Sequence, residues 1–300
     1  MPIFRVVASS IAELEHAVEQ ALQMQNQEDI HKLCDFTPAP LQISLYYSDI
    51  AELHSRLADI TLPQQTSSKV QWCLLFTGQG SQITNMGVDV STHAPFIQGS
   101  ISKYTELFAA YGADIKNFFT HGHDERIHQT QYTQMCLVSL QLAICDFWRQ
   151  LGLPISCAIG HSIGELAACI DAGFYDYDQG LQLVFERAHR MQAITAKGTM
   201  LAVRADKATV ADFLAVQCQN RYNDVEFAGF NSPMQTILSG PIASIDALHG
   251  LMSQHKIKSI RLSVSHAFHS NMMRPMLSGF QDAIVNIKPH LQARYTVFSN

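Results

Sequence analysis

Apolar positions set the first boundaries. Through residues 9–25, Ile11, Leu14, Ala17, Val18, Ala21 and Leu22 recur at helical spacing, which predicts an amphipathic helix. Leu41 to Tyr47 shifts to a run rich in β-formers and predicts a strand. Asp49 to Leu57 returns to helical spacing, with Asp49 placed to cap the first turn. The stretch Pro63 to Lys69 (PQQTSSK) is polar throughout and predicts a linker. A domain boundary is drawn there, leaving residues 1–69 as a small α/β domain.

Trp72 to Phe76 is a short unbroken apolar run, the pattern of a buried parallel strand. It enters a glycine-rich turn, Thr77-Gly78-Gln79-Gly80-Ser81-Gln82. Thr130 to Leu151 predicts a long helix with a broad apolar face, stopped by Gly152. Ile155 to Ile159 reads as a second buried strand, followed by helix from Glu165 to Ala172. Tyr177 to Ala196 predicts another helix, closed by Gly198. Strands alternating with helices give an α/β fold with a parallel sheet. The rhythm then changes. Strand Met200–Val203, helix Ala208–Gln217, strands Val225–Phe230 and Gln235–Ser239, helix Ile242–Gln254 and strand Ser259–Leu262 follow in turn. That βαββαβ order is the ferredoxin-like unit. Residues 199–262 are therefore expected as an insertion in a larger α/β domain of residues 70–198 and 263–300.

Composition narrows the classes of function. The formal charge is −6 with no dense Lys/Arg run, so no nucleic-acid partner is expected. Apolar stretches are short and broken, so no membrane partner is expected either. The start, MPIFRVVASSIAELE, has no long apolar core, which argues against a secretory signal and for a cytoplasmic protein. Seven cysteines are scattered without a CxxC pair, which suits reduced, mostly buried thiols.

Gly160-His161-Ser162-Ile163-Gly164 fits the nucleophile-elbow pattern. A strand ends, the chain turns sharply, a helix starts, and the serine hydroxyl is thrown clear of a hydrolase-like sheet. Both glycines relieve crowding in the turn. The helix start offers free N–H groups and a positive dipole end to an oxyanion. A serine of this kind needs a base, commonly histidine. Fourteen histidines are present, so number alone decides nothing. Val264-Ser265-His266-Ala267-Phe268-His269-Ser270 is the favoured region, with two loop histidines as the plain alternative.

Five motifs occur in order: Phe76-Thr77-Gly78-Gln79-Gly80-Ser81-Gln82, Gly160 to Glu165, Arg187 with Met191-Gln192, Phe230-Asn231-Ser232-Pro233, and Ser265 to Ser270. Together they resemble the malonyl-CoA:acyl-carrier-protein transacylase family, and within it the acyltransferase domains of polyketide synthases. The likeness covers residues 71–300. It implies that Ser162 attacks the thioester of an acyl-CoA and that His269 is its base. It implies backbone N–H donors at Gln79 and Ile163 for the oxyanion, and Arg187 as a clamp for a malonyl carboxylate. His161, His266, Phe268 and Asn231 would line the substrate pocket, with Phe268 filling the room an α-methyl branch needs. No cofactor is implied. The substrates would be malonyl-CoA and a phosphopantetheinylated acyl carrier protein. The first 70 residues resemble, through Ile30, Leu33, Cys34 and Thr37, the linker that joins a ketosynthase domain to an acyltransferase.

Two departures stand out. Gln134 is followed by Met135 where the family has proline. The chain also ends at Asn300, before the segment whose backbone carbonyl orients the histidine in the family, so a longer protein is expected. His121-Gly122-His123 with His128 invites a metal, but no closed ligand set is evident and none is expected. Three other readings stay open: a serine esterase or thioesterase, a docking domain that keeps the fold, and a rarer polar extender such as aminomalonyl or hydroxymalonyl.

Overall fold

The computed structural model describes residues 2–35, 41–62, 71–120, 123–219 and 221–299. The expected linker at residues 63–69, Thr37, and the His121-Gly122 pair lie outside the described residues. In chain order the strands are β1 (Ile3–Ala8), β2 (Leu41–Tyr46), β3 (Trp72–Phe76), β4 (Ile155–Gly160), β5 (Gly198–Val203), β6 (Glu226–Ser232), β7 (Gln235–Pro241), β8 (Ser259–Arg261) and β9 (Thr296–Phe298). The helices are α1 (Ile11–Gln23), α2 (Gln27–Leu33), α3 (Ile50–Ala58), α4 (Val88–His93), α5 (Pro95–Ala110), α6 (Thr130–Gln150), α7 (Ile163–Ala172), α8 (Tyr177–Gln192), α9 (Lys207–Asp212), α10 (Ile242–Gln254) and α11 (Leu277–Ile284). The chain divides into two compact units. The first comprises Met1–Ile127, Met135–Val184 and Pro289–Asn300, the second His128–Gln134 and Phe185–Lys288.

In the first unit, β1 and β2 form an antiparallel pair with Ile3 opposite Tyr46. Helices α1, α2 and α3 pack against it, burying Phe4, Leu14, Ile30 and Leu53 completely. Local chemistry starts each helix. The side chains of Ser10, Asn26 and Asp49 accept from the N–H groups of Glu13, Asp29 and Glu52. Glu52 reaches back to the Ser48 N–H at 2.7 Å. Gln42 and Ser44 donate to the carbonyls of Gly152 and Leu151, each at 2.6 Å, which fastens this part to the turn before β4.

Strands β3, β4 and β9 form a parallel sheet in that order. Helix α7 packs against all three. Beneath it Phe76 and Ala158 are buried. The opposite face corrects the expectation of two buried strands. Leu75, Ile159 and Phe298 stand in one row across the register and are 77%, 37% and 54% exposed. Apolar sequence tells that a residue wants cover. It does not tell whether an element lies on top of it. Asp171 on α7 is wholly buried and accepts from the Arg149 guanidinium and the Tyr295 hydroxyl. Arg149 also pairs with Asp146 at 2.8 Å. These bonds tie the chain entering β9 to α6 and α7.

In the second unit the sheet order is β6-β7-β5-β8, with every neighbour antiparallel. Leu201, Val203, Leu238, Ile245, Leu248 and Met252 form its core with α10. Helix α9 runs on as a π-turn over Phe213–Gln217. The helix expected to reach Ala196 closes at Gln192, and Gly198 opens β5 instead of capping it. A Cβ on Gly198 would strike Ala267, so the glycine is there for close packing.

The cysteines are free, but only Cys136, Cys145 and Cys218 are buried, and Cys73 is exposed. Cys73 lies on the uncovered sheet face, where the apolar run led to an expectation of burial. Among the described residues no helix is long and apolar enough to cross a membrane. Among them too, no group of three or more His, Cys, Asp or Glu side chains is placed to hold a metal.

Candidate active site

Parallel pairing places the ends of β3 and β4 side by side, with Phe76 opposite Gly160. Each strand then turns sharply. The His161 N–H donates to the Phe76 carbonyl at 3.0 Å, and the Gly164 N–H donates to the His161 carbonyl at 2.9 Å. Between these bonds Ser162 sits at φ 55°, ψ −112°. This conformation is unfavourable for any L-residue by about 1–3 kcal/mol and persists only where the surroundings impose it. Two glycines allow it. A Cβ on Gly160 would run into the backbone of Gly164 and Glu165, and one on Gly164 into the Phe76 and Thr77 carbonyls. Ser162 therefore stands at the N-terminus of α7, with Ile163 as the first helical residue.

The neighbouring turn is held by its own bonds. Ser81 donates to the Gly78 carbonyl at 2.9 Å. The Gly80 N–H donates to Gln82 at 2.7 Å, and Gln141 donates to the Thr77 carbonyl at 2.9 Å. Gln79 is half-buried in the middle of this loop. Gly78 lies against His161 so closely that a Cβ would sit 2.6 Å from the His161 carbonyl oxygen. The first unit thus brings Gln79, His161, Ser162 and Ile163 onto two interlocked turns.

The second unit holds the other predicted residues. Arg187 on α8 is half-buried, and its guanidinium donates to the Gln134 side-chain oxygen at 2.5 Å. Gln134 is buried and donates in turn to the Met191 sulfur at 3.3 Å. Burial lowers the Arg187 pKa to about 10, so the group stays charged at neutral pH while bearing a desolvation cost. Nothing in the sequence singled out Gln134 as the partner of Arg187. Only its motif position, one residue before the departure at Met135, marked it.

His269 has a left-handed backbone, φ 57°. The residues before it are locked. His266 is buried, donates from Nε2 to the Ile194 carbonyl at 2.9 Å, and accepts at Nδ1 from Ser265 at 2.8 Å. Phe268 is buried among Met191, Ile194, Met200, Ile237, Met273 and Met276. Ser270 caps the following 3-10 turn through the Met272 N–H. Asn231 is exposed on β6.

Comparison with known proteins gives the family. Residues 73–299 match the family described as the acyl transferase domain. Norsolorinic acid synthase of Emericella nidulans is 31% identical over 230 residues, which is 75% of this chain and 10% of that protein. The acyltransferase domain from the second module of the salinomycin polyketide synthase is 26% identical with a TM-score of 0.69, over 99% of this chain and 62% of that one. The malonyl CoA-acyl carrier protein transacylase of Coxiella burnetii is 28% identical with a TM-score of 0.67, over 75% of this chain and 71% of that one. The chain spans about a tenth of the length of the curated relatives it matches. The family match contains the Ser162 elbow and the Arg187 and His269 segments within one continuous span, and the chain belongs to the acyl transferase domain family.

Proposed function

We propose that this chain takes a malonyl-type acyl group from a CoA thioester onto Ser162 and passes it to the phosphopantetheine thiol of an acyl carrier protein, within polyketide assembly. The observation that carries the reading is Ser162 itself, held at φ 55° between β4 and the start of α7. Its hydroxyl attacks the thioester carbonyl, and His269 takes the proton. The oxyanion forms against the N–H groups of Gln79 and Ile163. The C–S bond breaks and CoA leaves as the thiol, receiving the proton from His269. The carrier thiol then repeats the sequence in reverse, freeing Ser162. No cofactor enters either half.

Arg187 receives the free carboxylate of the malonyl group, oriented by Gln134. His266 fixes the backbone that presents His269, while Phe268 limits the room for an α-substituent, which favours plain malonyl over branched extenders. His161 and Asn231 border the acyl group. Residues 199–262 are assigned as a ferredoxin-like insertion, supported by the β6-β7-β5-β8 order. Residues 1–69 are assigned as a linker toward a ketosynthase, and residues 70–198 with 263–300 as the catalytic subdomain.

Mass spectrometry of the intact protein after mixing with malonyl-CoA tests the reading. A malonyl adduct on Ser162, absent from Ser162→Ala and discharged onto a phosphopantetheinylated carrier protein, is expected. Absence of any adduct refutes it. Release of free malonate with no labelling of the carrier assigns a hydrolase in its place.

A further inference from the structure

Cys73 on β3 and Cys157 on β4 are direct partners in the parallel register. Partnered residues on neighbouring strands point to the same face, and Cα atoms there lie ~4.8 Å apart, inside the ~4.4–6.8 Å range that a disulfide spans. The neighbouring Cys157 thiol is the main cause that pushes the Cys73 thiol above its ordinary pKa. Cys73 is exposed on the sheet face that no described element covers, and Cys157 is half-buried beside it. Of the others, Cys136, Cys145 and Cys218 are buried, and burial raises the thiol pKa of each.

We propose that Cys73 and Cys157 form a reversible redox site, closed into a disulfide by a low-molecular-weight disulfide such as oxidised glutathione, and that closure slows acylation of Ser162. The second half rests on the nucleophilic role assigned to Ser162. Cys73 thiolate attacks the small disulfide, forms a mixed disulfide and releases one thiol. Cys157 thiolate then attacks the Cys73 sulfur and expels the second thiol. Two protein thiols are oxidised, one small disulfide is reduced to two thiols, and the two protons the protein thiols lose are taken up by the expelled thiolates, with no net release.

The link to the site is mechanical. Bridged cysteines most often hold their Cα atoms ~5.5–6 Å apart, so closure strains the ~4.8 Å sheet spacing and spreads β3 from β4 by up to roughly 1 Å. Beyond the pair, β3 ends at Phe76 and leads to Gln79, and β4 ends at Gly160 and leads to Ser162. The His161 bond to Phe76 and the seat of Gly164 against the Phe76 carbonyl leave no slack between the two turns. A shift of the strands is therefore passed to the nucleophile and its oxyanion donors. Displacement of ~1 Å at a reacting group costs up to about a hundredfold in rate.

The chain is treated with oxidised glutathione at about pH 9, above the ordinary thiol pKa of ~8.5 because the Cys73 thiol is shifted upward, then digested without reduction and mapped. Ser162 reactivity is read in parallel with a fluorophosphonate label, which needs only a nucleophilic serine, and with malonyl-CoA. A Cys73–Cys157 cross-linked peptide is expected, with labelling of Ser162 slowed by roughly tenfold to a hundredfold and restored by dithiothreitol. Cys73→Ser and Cys157→Ser each keep full labelling before and after oxidation. Glutathione adducts without the cross-link, or a cross-link that leaves Ser162 labelling unchanged, overturn the proposal. A reduced protein that takes the fluorophosphonate but no malonyl group refutes the acyl-transfer reading and leaves this test intact.

Discussion

Arg187→Ala separates recognition of the acyl group from the chemistry done on it. Burial lowers the Arg187 pKa from 12.5 to about 10, which corresponds to a desolvation cost of roughly 3 kcal/mol. A substrate carboxylate seated against the guanidinium recovers most of that cost, while an acetyl group recovers none. The resulting preference for malonyl over acetyl is about a hundredfold. Competition between malonyl-CoA and acetyl-CoA, read by adduct mass on Ser162, measures it directly. In Arg187→Ala malonyl loading is expected to fall about a hundredfold with acetyl loading nearly unchanged. Arg187→Lys should recover only part, because an ammonium lacks the planar fork that pairs with a carboxylate. The preference also carries a pH signature. The folded pKa lies below the ordinary value, so the charge is present at neutral pH and is lost as pH rises through about 10. Selectivity should fade over that interval. An equal loss of malonyl and acetyl loading in Arg187→Ala would refute the reasoning and leave Arg187 a structural residue.

Four further outcomes are expected. Gln134→Leu keeps volume but removes the acceptor for Arg187, so malonyl selectivity should drop about tenfold with acetyl loading intact in the same competition assay. Gly164→Ala forces a Cβ against the Phe76 and Thr77 carbonyls, and should cost about 1–3 kcal/mol in denaturant unfolding while abolishing the Ser162 adduct. Asp171→Ala removes the buried acceptor of Tyr295 and one of the two carboxylates paired with Arg149 and should destabilise by about 1–3 kcal/mol, seen as a lower Tm. Glu52 is held at about 2 by the hydroxyl and backbone N–H of Ser48. Its contribution to α3 is present above the ordinary 4.5 and is lost as pH falls toward 2. An NMR titration of Glu52 with a midpoint near 4.5 would contradict that.

What the sequence made legible was mostly local. Asp49 caps α3 because an acceptor before a helical run has one natural use, while α1 follows from period and β2 from its run of β-formers. The alternation of strand and helix between Gly198 and Arg261 is likewise a local pattern. Strand β1 passed unmarked although Ile3, Val6 and Val7 are good strand formers. Its pairing with β2 crosses more than thirty residues and has no local signal. The same limit hid the bond from Arg187 to Gln134, set by helix packing across 53 residues. It also hid the exposure of Leu75, since a strand carries no record of what lies over it. The pentapeptide at Ser162 was readable because its constraint is backbone sterics, which glycine spacing records directly.

That constraint explains why two motifs more than eighty residues apart in sequence interlock beside Ser162. In a parallel sheet every strand delivers its following turn to the same edge, and β3 and β4 are adjacent there. The turn after β3 must clear the helix that starts after β4, so Gly164 is bare where it meets the Phe76 carbonyl. The turn after β4 must in turn clear the β3 loop, so Gly78 is bare where it meets His161. Each motif thus carries the glycine that the other requires. A change in either turn disturbs the position of Ser162 as much as a change beside it, and substitutions at Gly78 should therefore reproduce the acylation defect of Gly164→Ala without touching the nucleophile's own segment. Normal Ser162 labelling in Gly78→Ala would show that the turns are independent, and would remove the mechanical basis for coupling the Cys73 and Cys157 strands to the site.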